Sequence, residues 1–138
     1  LEDYLLATSI TGVVAQRLVR RLCPTCAAPA AASPALVERL VRDAGHCCEA
    51  PGAHQPRLRR PVGCPACRDT GYSGRTIVGE LLPVTGAVRD AFLVDGTERG
   101  IETAAIAAGM RTMHQDGLAK VLAGETTLEE VLRVTRID

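Results

Sequence analysis

Aromatic side chains are nearly missing from this sequence. Two tyrosines, one phenylalanine and no tryptophan make up 2% of the 138 residues. The core must therefore be built from Ala, Val, Leu and Ile, and the ring faces on which single-stranded nucleic acid stacks are lacking. Excess charge is missing as well. Lys plus Arg number 16 and Asp plus Glu 16, for zero formal net charge, which argues against a nucleic-acid partner, since such binders carry a basic excess. No apolar run approaches the roughly 20 residues that span a bilayer, and no signal-peptide pattern opens the chain, so direct membrane insertion is not expected. A phosphate loop ending in Gly-Lys-Ser/Thr is also absent; the only Gly-x-x-Gly is Gly71 to Gly74. The three histidines, His46, His54 and His114, fall in expected loops or on an exposed face. No nucleophile constellation can be assembled around them. Alone, the chain is not expected to be a catalyst.

Cysteine is abundant by contrast, with six in the chain. Four fall in two C-x-x-C knuckles, Cys23-Pro24-Thr25-Cys26 and Cys64-Pro65-Ala66-Cys67. A turn with two residues between thiolates lets both sulfurs reach one ion, and two such turns complete a closed tetrahedral shell around zinc. The amphipathic segments elsewhere argue against a secreted disulfide scaffold, although disulfides and a redox dithiol stay open. Cys47 and Cys48 are adjacent, with side chains pointing apart, and rank as spare thiols. One of them, or His46 or His54, remains an alternative ligand.

In chain order, residues 1–9 read as a helix, and Ile10 to Leu22 as a helix passing into a strand that enters the first knuckle. Arg17, Arg20 and Arg21 read as solvated charges. Residues 27–34 form a Pro/Ala-rich loop. Ser33-Pro34 then starts a helix with Leu36, Val37, Leu40 and Val41 on its apolar face, closed by Gly45. Arg57, Arg59 and Arg60 read as a solvated basic run. Arg75 to Val84 reads as a strand stopped at Pro83. Three helical stretches follow, carrying Val88, Phe92 and Leu93; Ile101, Ala104, Ala105 and Ala108; and Leu118, Val121 and Leu122. Gly96, Gly109 and Gly124 close them. Thr127 to Glu130 has the spacing of a capping box, the Thr hydroxyl meeting a free amide and Glu130 reaching back. Leu128, Val131 and Leu132 then face the core.

Arg75 is the remaining candidate for chemistry. It follows the turn-rich Gly71-Tyr72-Ser73-Gly74, and a guanidinium held there can address phosphate oxygens with forked hydrogen bonds. A structural ion pair is the competing reading.

Three stretches together carry a resemblance. Gly12 through Cys26 (GVVAQRLVRRLCPTC), Cys64 through Leu82 (CPAC, then GYSGRT and ELL) and Asp116 through Thr135 (DGLAKV, then EEVLRVT) resemble the C-terminal half of the type II secretion and type IV pilus assembly traffic ATPases, in order and over nearly the whole chain. The resemblance implies an α/β fold: the C-terminal remnant of a RecA-like nucleotide-binding domain, with an inserted tetracysteine zinc subdomain and a mostly helical C-terminal part. On that likeness residues 1–22 end the RecA-like core, 23–71 form the zinc insertion, and 72–138 are a strand followed by a helical subdomain. Cys23, Cys26, Cys64 and Cys67 would be the zinc ligands, and Arg75 would reach toward nucleotide phosphates. The parent would be a homohexameric cytoplasmic ATPase using ATP and Mg2+. It would sit peripherally on the inner membrane of a Gram-negative bacterium, against platform proteins, and power pseudopilus or pilus assembly. Its ATP-binding motifs would lie upstream of Leu1, so this piece alone would not hydrolyse ATP. An independent zinc-ribbon module and a thiol redox protein are the alternatives.

Overall fold

The computed structural model describes residues 3–45, 56–94 and 96–135; His46, Cys47, Cys48 and His54 lie outside them. The architecture is mixed α/β. The chain divides into two compact units, residues 1–15 with 80–112, and residues 16–79 with 113–138. Two long strands, β1 (Gly12–Leu22) and β4 (Tyr72–Pro83), form a two-stranded sheet.

Strand β1 corrects the expectation of a helix after Ile10. Val13, Val14, Leu18, Val19 and Leu22 fit a helical face, but β-branched residues suit a pleated backbone, and β4 supplies the pairing partner. Pairing is antiparallel. In the first unit the Val84 amide donates to the Thr11 carbonyl at 3.0 Å, and in the second the Cys23 amide donates to the Gly71 carbonyl at 2.9 Å. Strand β4 begins at Tyr72, ahead of the expected Arg75, and ends at Pro83 as expected.

In the first unit, α1 (Asp3–Ser9) packs on α3 (Gly86–Val94), which packs on α4 (Glu98–Ala107). Ala7, Val88 and Ala105 are buried there. Thr97 caps α4, its hydroxyl accepting from the Gly100 amide. Leu93 does not join Val88 as expected but is 48% exposed. One residue past the i, i+4 position, it has turned off the buried face.

In the second unit, α2 (Pro34–Ala44) starts as its sequence dictates. Ser33 Oγ accepts from the Leu36 amide at 3.2 Å, Pro34 is the first helical residue, and Gly45 closes the helix at φ 65°. Its Leu40 and Ala44 form one buried cluster with Leu118 and Leu122 of α5 (Met113–Leu122). Helix α6 (Leu128–Thr135) packs on α5. Gly117 permits the approach, because a Cβ there would collide with the Val131 side chain. A two-residue ladder, β2 (Ala28–Pro29) with β3 (Arg59–Arg60), draws the two ends of the inter-knuckle segment together.

The capping box at α6 is only half formed. The Glu130 amide reaches Thr127 Oγ1 at 3.4 Å, but the Glu130 carboxylate turns instead to Arg20 and Arg133. His114, expected at the surface, is half-buried and bonded to Thr135 Oγ1 at 3.0 Å. No helix among the described residues is long and apolar enough to cross a membrane.

Candidate metal centre

Strand β1 delivers Cys23 directly, and the chain then turns so that the Ala27 amide donates back to the Cys23 carbonyl at 2.9 Å. The second knuckle is a 3-10 turn over Pro65–Cys67, with Arg68 and Asp69 in the left-handed region at φ 54° and 60°. This sharp return is held by the Asp69 amide on the Cys64 carbonyl, 2.9 Å, and by Thr70 Oγ1 on the Cys67 carbonyl, 2.7 Å. Gly71 follows at φ 77°, and a Cβ at that position would collide with Pro61.

Together these turns bring the four knuckle sulfurs within 4.8 Å of one another. Cys23 and Cys64 stand 3.9 Å apart, Cys26 and Cys67 3.8 Å, and Cys64 and Cys67 3.7 Å. A tetrahedral ion with metal–sulfur bonds of about 2.3 Å requires sulfur–sulfur edges of about 3.8 Å. These are not disulfides, whose sulfurs lie about 2.05 Å apart. The geometry therefore fits a metal ion: four thiol donors within 4.8 Å, three of their separations at 3.7–3.9 Å, and no open position for water or substrate. Such a closed all-sulfur set suits a structural ion, not a catalytic one.

The surroundings favour thiolates at some positions. Burial works against ionising Cys67, but the Cys64 and Gly71 amides both donate to its sulfur at 3.2 Å and carry its pKa down to about 6. Burial likewise opposes ionisation of Cys23, yet the Cys26 and Thr25 amides hold it below the ordinary thiol value. Cys26 goes the other way. Burial pushes it up to about 11 despite the Gly63 amide at 3.3 Å, and the neighbouring thiols add to the rise. Without an ion the cluster keeps some of its protons; a dication favours the thiolate form throughout.

Arg75 lies apart from the sulfurs. It is exposed and lines an open pocket of about 550 Å³ together with Arg20, Tyr72 and Arg133. Sequence reasoning missed Arg20 and Glu130 here. Glu130 is 3% exposed and takes Arg20 on one oxygen, through Nε at 3.0 Å and the terminal nitrogen at 2.8 Å. Its other oxygen takes the Arg20 amide and the Arg133 guanidinium, each at 2.9 Å. Burial alone would raise the pKa of Glu130, but the bonds from Arg133 and Arg20 bring it down to about 2. Arg20 also lies 4.1 Å from the centroid of the Tyr72 ring. The i, i+3 spacing of Glu130 and Arg133 was a visible signal; the link to Arg20, 110 residues away, was not.

A family model described as "Type II/IV secretion system protein" matches residues 1–133. The Type II secretion system protein HxcR of Pseudomonas aeruginosa is 43% identical over 135 residues, covering 98% of this chain and 24% of that protein. Type II secretion system protein E of Pectobacterium carotovorum is 46% identical over 136 residues, 98% of this chain and 25% of its own length. The Type II secretion system ATPase E of Vibrio cholerae is 38% identical over 136 residues, 99% and 25% respectively. The chain thus spans about a quarter of the length of these relatives.

Proposed function

The chain belongs to the type II/IV secretion system protein family, and from that premise we propose that it is the C-terminal part of a hexameric ATPase powering type II protein secretion. In this reading Cys23, Cys26, Cys64 and Cys67 hold one structural zinc ion. Residues 1–22 end a RecA-like core, 23–71 form the zinc-binding insertion, and 72–138 complete the domain with a strand and helices. The chain supports contacts with neighbouring subunits and with inner-membrane platform proteins, at the cytoplasmic face of the inner membrane. ATP and Mg2+ belong to the nucleotide-binding part of the parent, and Arg75 reaches toward the nucleotide phosphates. The chain alone does not hydrolyse ATP.

The observation that carries this reading is the cluster of four sulfurs within 4.8 Å, in a chain whose relatives are named for type II secretion. An ion there would fix the end of β1 to the start of β4. Cys23 directly follows the first strand and Cys67 stands shortly before the second, so a metal makes one rigid corner of two distant turns. The names of the relatives favour secretion over a pilus assembly ATPase, which is the alternative.

The test uses the full polypeptide that contains this chain. Cys64→Ser should lower both export of a folded substrate and ATP turnover, together with loss of bound zinc. Normal export by a zinc-free Cys64→Ser protein would overturn the proposal.

A further inference from the structure

Three arginines meet at one opening in the second unit, and their arrangement resembles a built site more than a solvated face. Arg20 comes from β1, Arg75 from β4 and Arg133 from α6, and all three line the same pocket of about 550 Å³. Two are fixed from behind. The buried Glu130 carboxylate grips Arg20 and Arg133 at 2.8–2.9 Å, and the Tyr72 ring lies against the Arg20 guanidinium at 4.1 Å. Tyr72 is itself anchored by its hydroxyl, 3.1 Å from Thr127 Oγ1. Although gripped, these side chains remain open to solvent, 54% for Arg20 and 56% for Arg133. The Arg75 guanidinium has no hydrogen-bond or ion-pair partner among the described residues.

The charge balance names the ligand class. Three guanidiniums face one carboxylate, so the pocket is left with two uncompensated positive charges. Only part of the fork of each gripped guanidinium is spent on Glu130, and the rest points to no acceptor among the described residues. Planar forks of N–H donors match tetrahedral oxyanions, and a dianionic phosphate group neutralises an excess of two charges. Preorganisation by Glu130 and Tyr72 lowers the ordering cost that free arginine side chains would incur on binding.

We infer that Arg20, Arg75 and Arg133 form a binding site for a phosphate group, with Glu130 as the brace that orients two of the three. This deepens the reading of Arg75 given above and rests on it for the approach of Arg75 to phosphate; the other two arginines and the brace are added here. A phosphate group could arrive on a nucleotide, as free inorganic phosphate or on a lipid headgroup.

The test follows the arginine Nε–H signals of the 138-residue chain by NMR while inorganic phosphate is added. Saturable shifts are expected at Arg20, Arg75 and Arg133, with a dissociation constant of about 1 mM or tighter. Arg75→Met should weaken binding about tenfold or more, with Arg75→Lys intermediate because the fork is lost. Arg75 is exposed, so neither variant disturbs folding, and unchanged amide spectra check this. Absence of saturable shifts, or equal affinity in Arg75→Met, overturns the site. Two further arms separate the sources. ATP binding the same arginines more tightly than inorganic phosphate supports both the site and the nucleotide reading. In the full polypeptide, where the nucleotide-binding part is present, an ATP affinity unchanged by Arg75→Met keeps the site and overturns that reading. Vesicles containing phosphatidic acid, whose headgroup is a phosphomonoester, that compete with inorganic phosphate for these arginines support the site with a lipid source. Vesicle binding without any phosphate-dependent shift overturns it.

Discussion

Arg20 gives Glu130 both its backbone amide, at 2.9 Å, and its guanidinium, at 2.8 and 3.0 Å. One buried carboxylate thereby ties the end of β1 to the start of α6. Neighbouring bonds reinforce the tie: Thr126 Oγ1 donates to the Arg20 carbonyl at 2.7 Å, and the Leu22 amide donates to the Glu125 carbonyl at 2.9 Å. The residues just before the first knuckle are therefore held by the C-terminal helix as well as by the facing strand.

Removing that carboxylate should destabilise the second unit. Glu130→Ala loses several charge-assisted hydrogen bonds at a buried position, at a cost of about 2–4 kcal/mol. Glu130→Gln, which keeps the shape and one acceptor oxygen, should cost less. Urea unfolding of the two variants against the parent chain measures the difference. Equal stability of all three would show that the contact contributes nothing.

The same group sets an acid limit. Its folded pKa, about 2, is depressed below the ordinary value of 4.5. Its stabilising contribution is therefore complete above about pH 4.5 and is lost as pH falls from there toward 2. Over that window Glu130→Gln should show a flatter dependence of stability on pH than the parent. Parallel curves would contradict the assignment.

Gly71 is the residue on which the second knuckle turns. Its amide donates to the Cys67 sulfur, its φ is 77°, and an added Cβ would collide with Pro61. Gly71→Ala should cost about 1–3 kcal/mol from the strained backbone. It should also speed loss of metal to a chelator, followed as the rate of zinc release.

Leu118 tests the packing separately from the metal. It is 1% exposed, within the cluster that joins α2 to α5. Leu118→Ala should cost about 2–5 kcal/mol while metal stoichiometry stays unchanged. A simultaneous loss of metal would mean that core and metal site are not separable.

Local chemistry was legible in the sequence wherever it decided the outcome. Ser33-Pro34 and Gly45 bounded α2, Pro83 stopped β4, and the two knuckles announced a common site that the fold assembles. Errors arose where a distant partner decided. From Ile10 to Leu22 the apolar spacing suits helix and strand alike, and only the presence of β4 selects the strand. Glu130 has the spacing to cap its own helix, but two guanidiniums, one from Arg20 at the far end of the chain, outcompete a single amide for its oxygens. Arg20 itself reads as a solvated charge until Tyr72 and Glu130 are brought beside it. His114 reads as surface until Thr135 closes over it. Arg75 stands out in the sequence by its glycine-rich lead-in, yet its two companion arginines come from elements that no local pattern connects.

The most direct measurement is the metal content of the purified chain combined with X-ray absorption at the zinc edge. About one zinc per chain is expected, bound by four sulfurs at about 2.3 Å, with the ion lost in Cys64→Ser. A fully folded chain free of metal, or one with Cys23, Cys26, Cys64 and Cys67 bonded to each other in pairs, would contradict it.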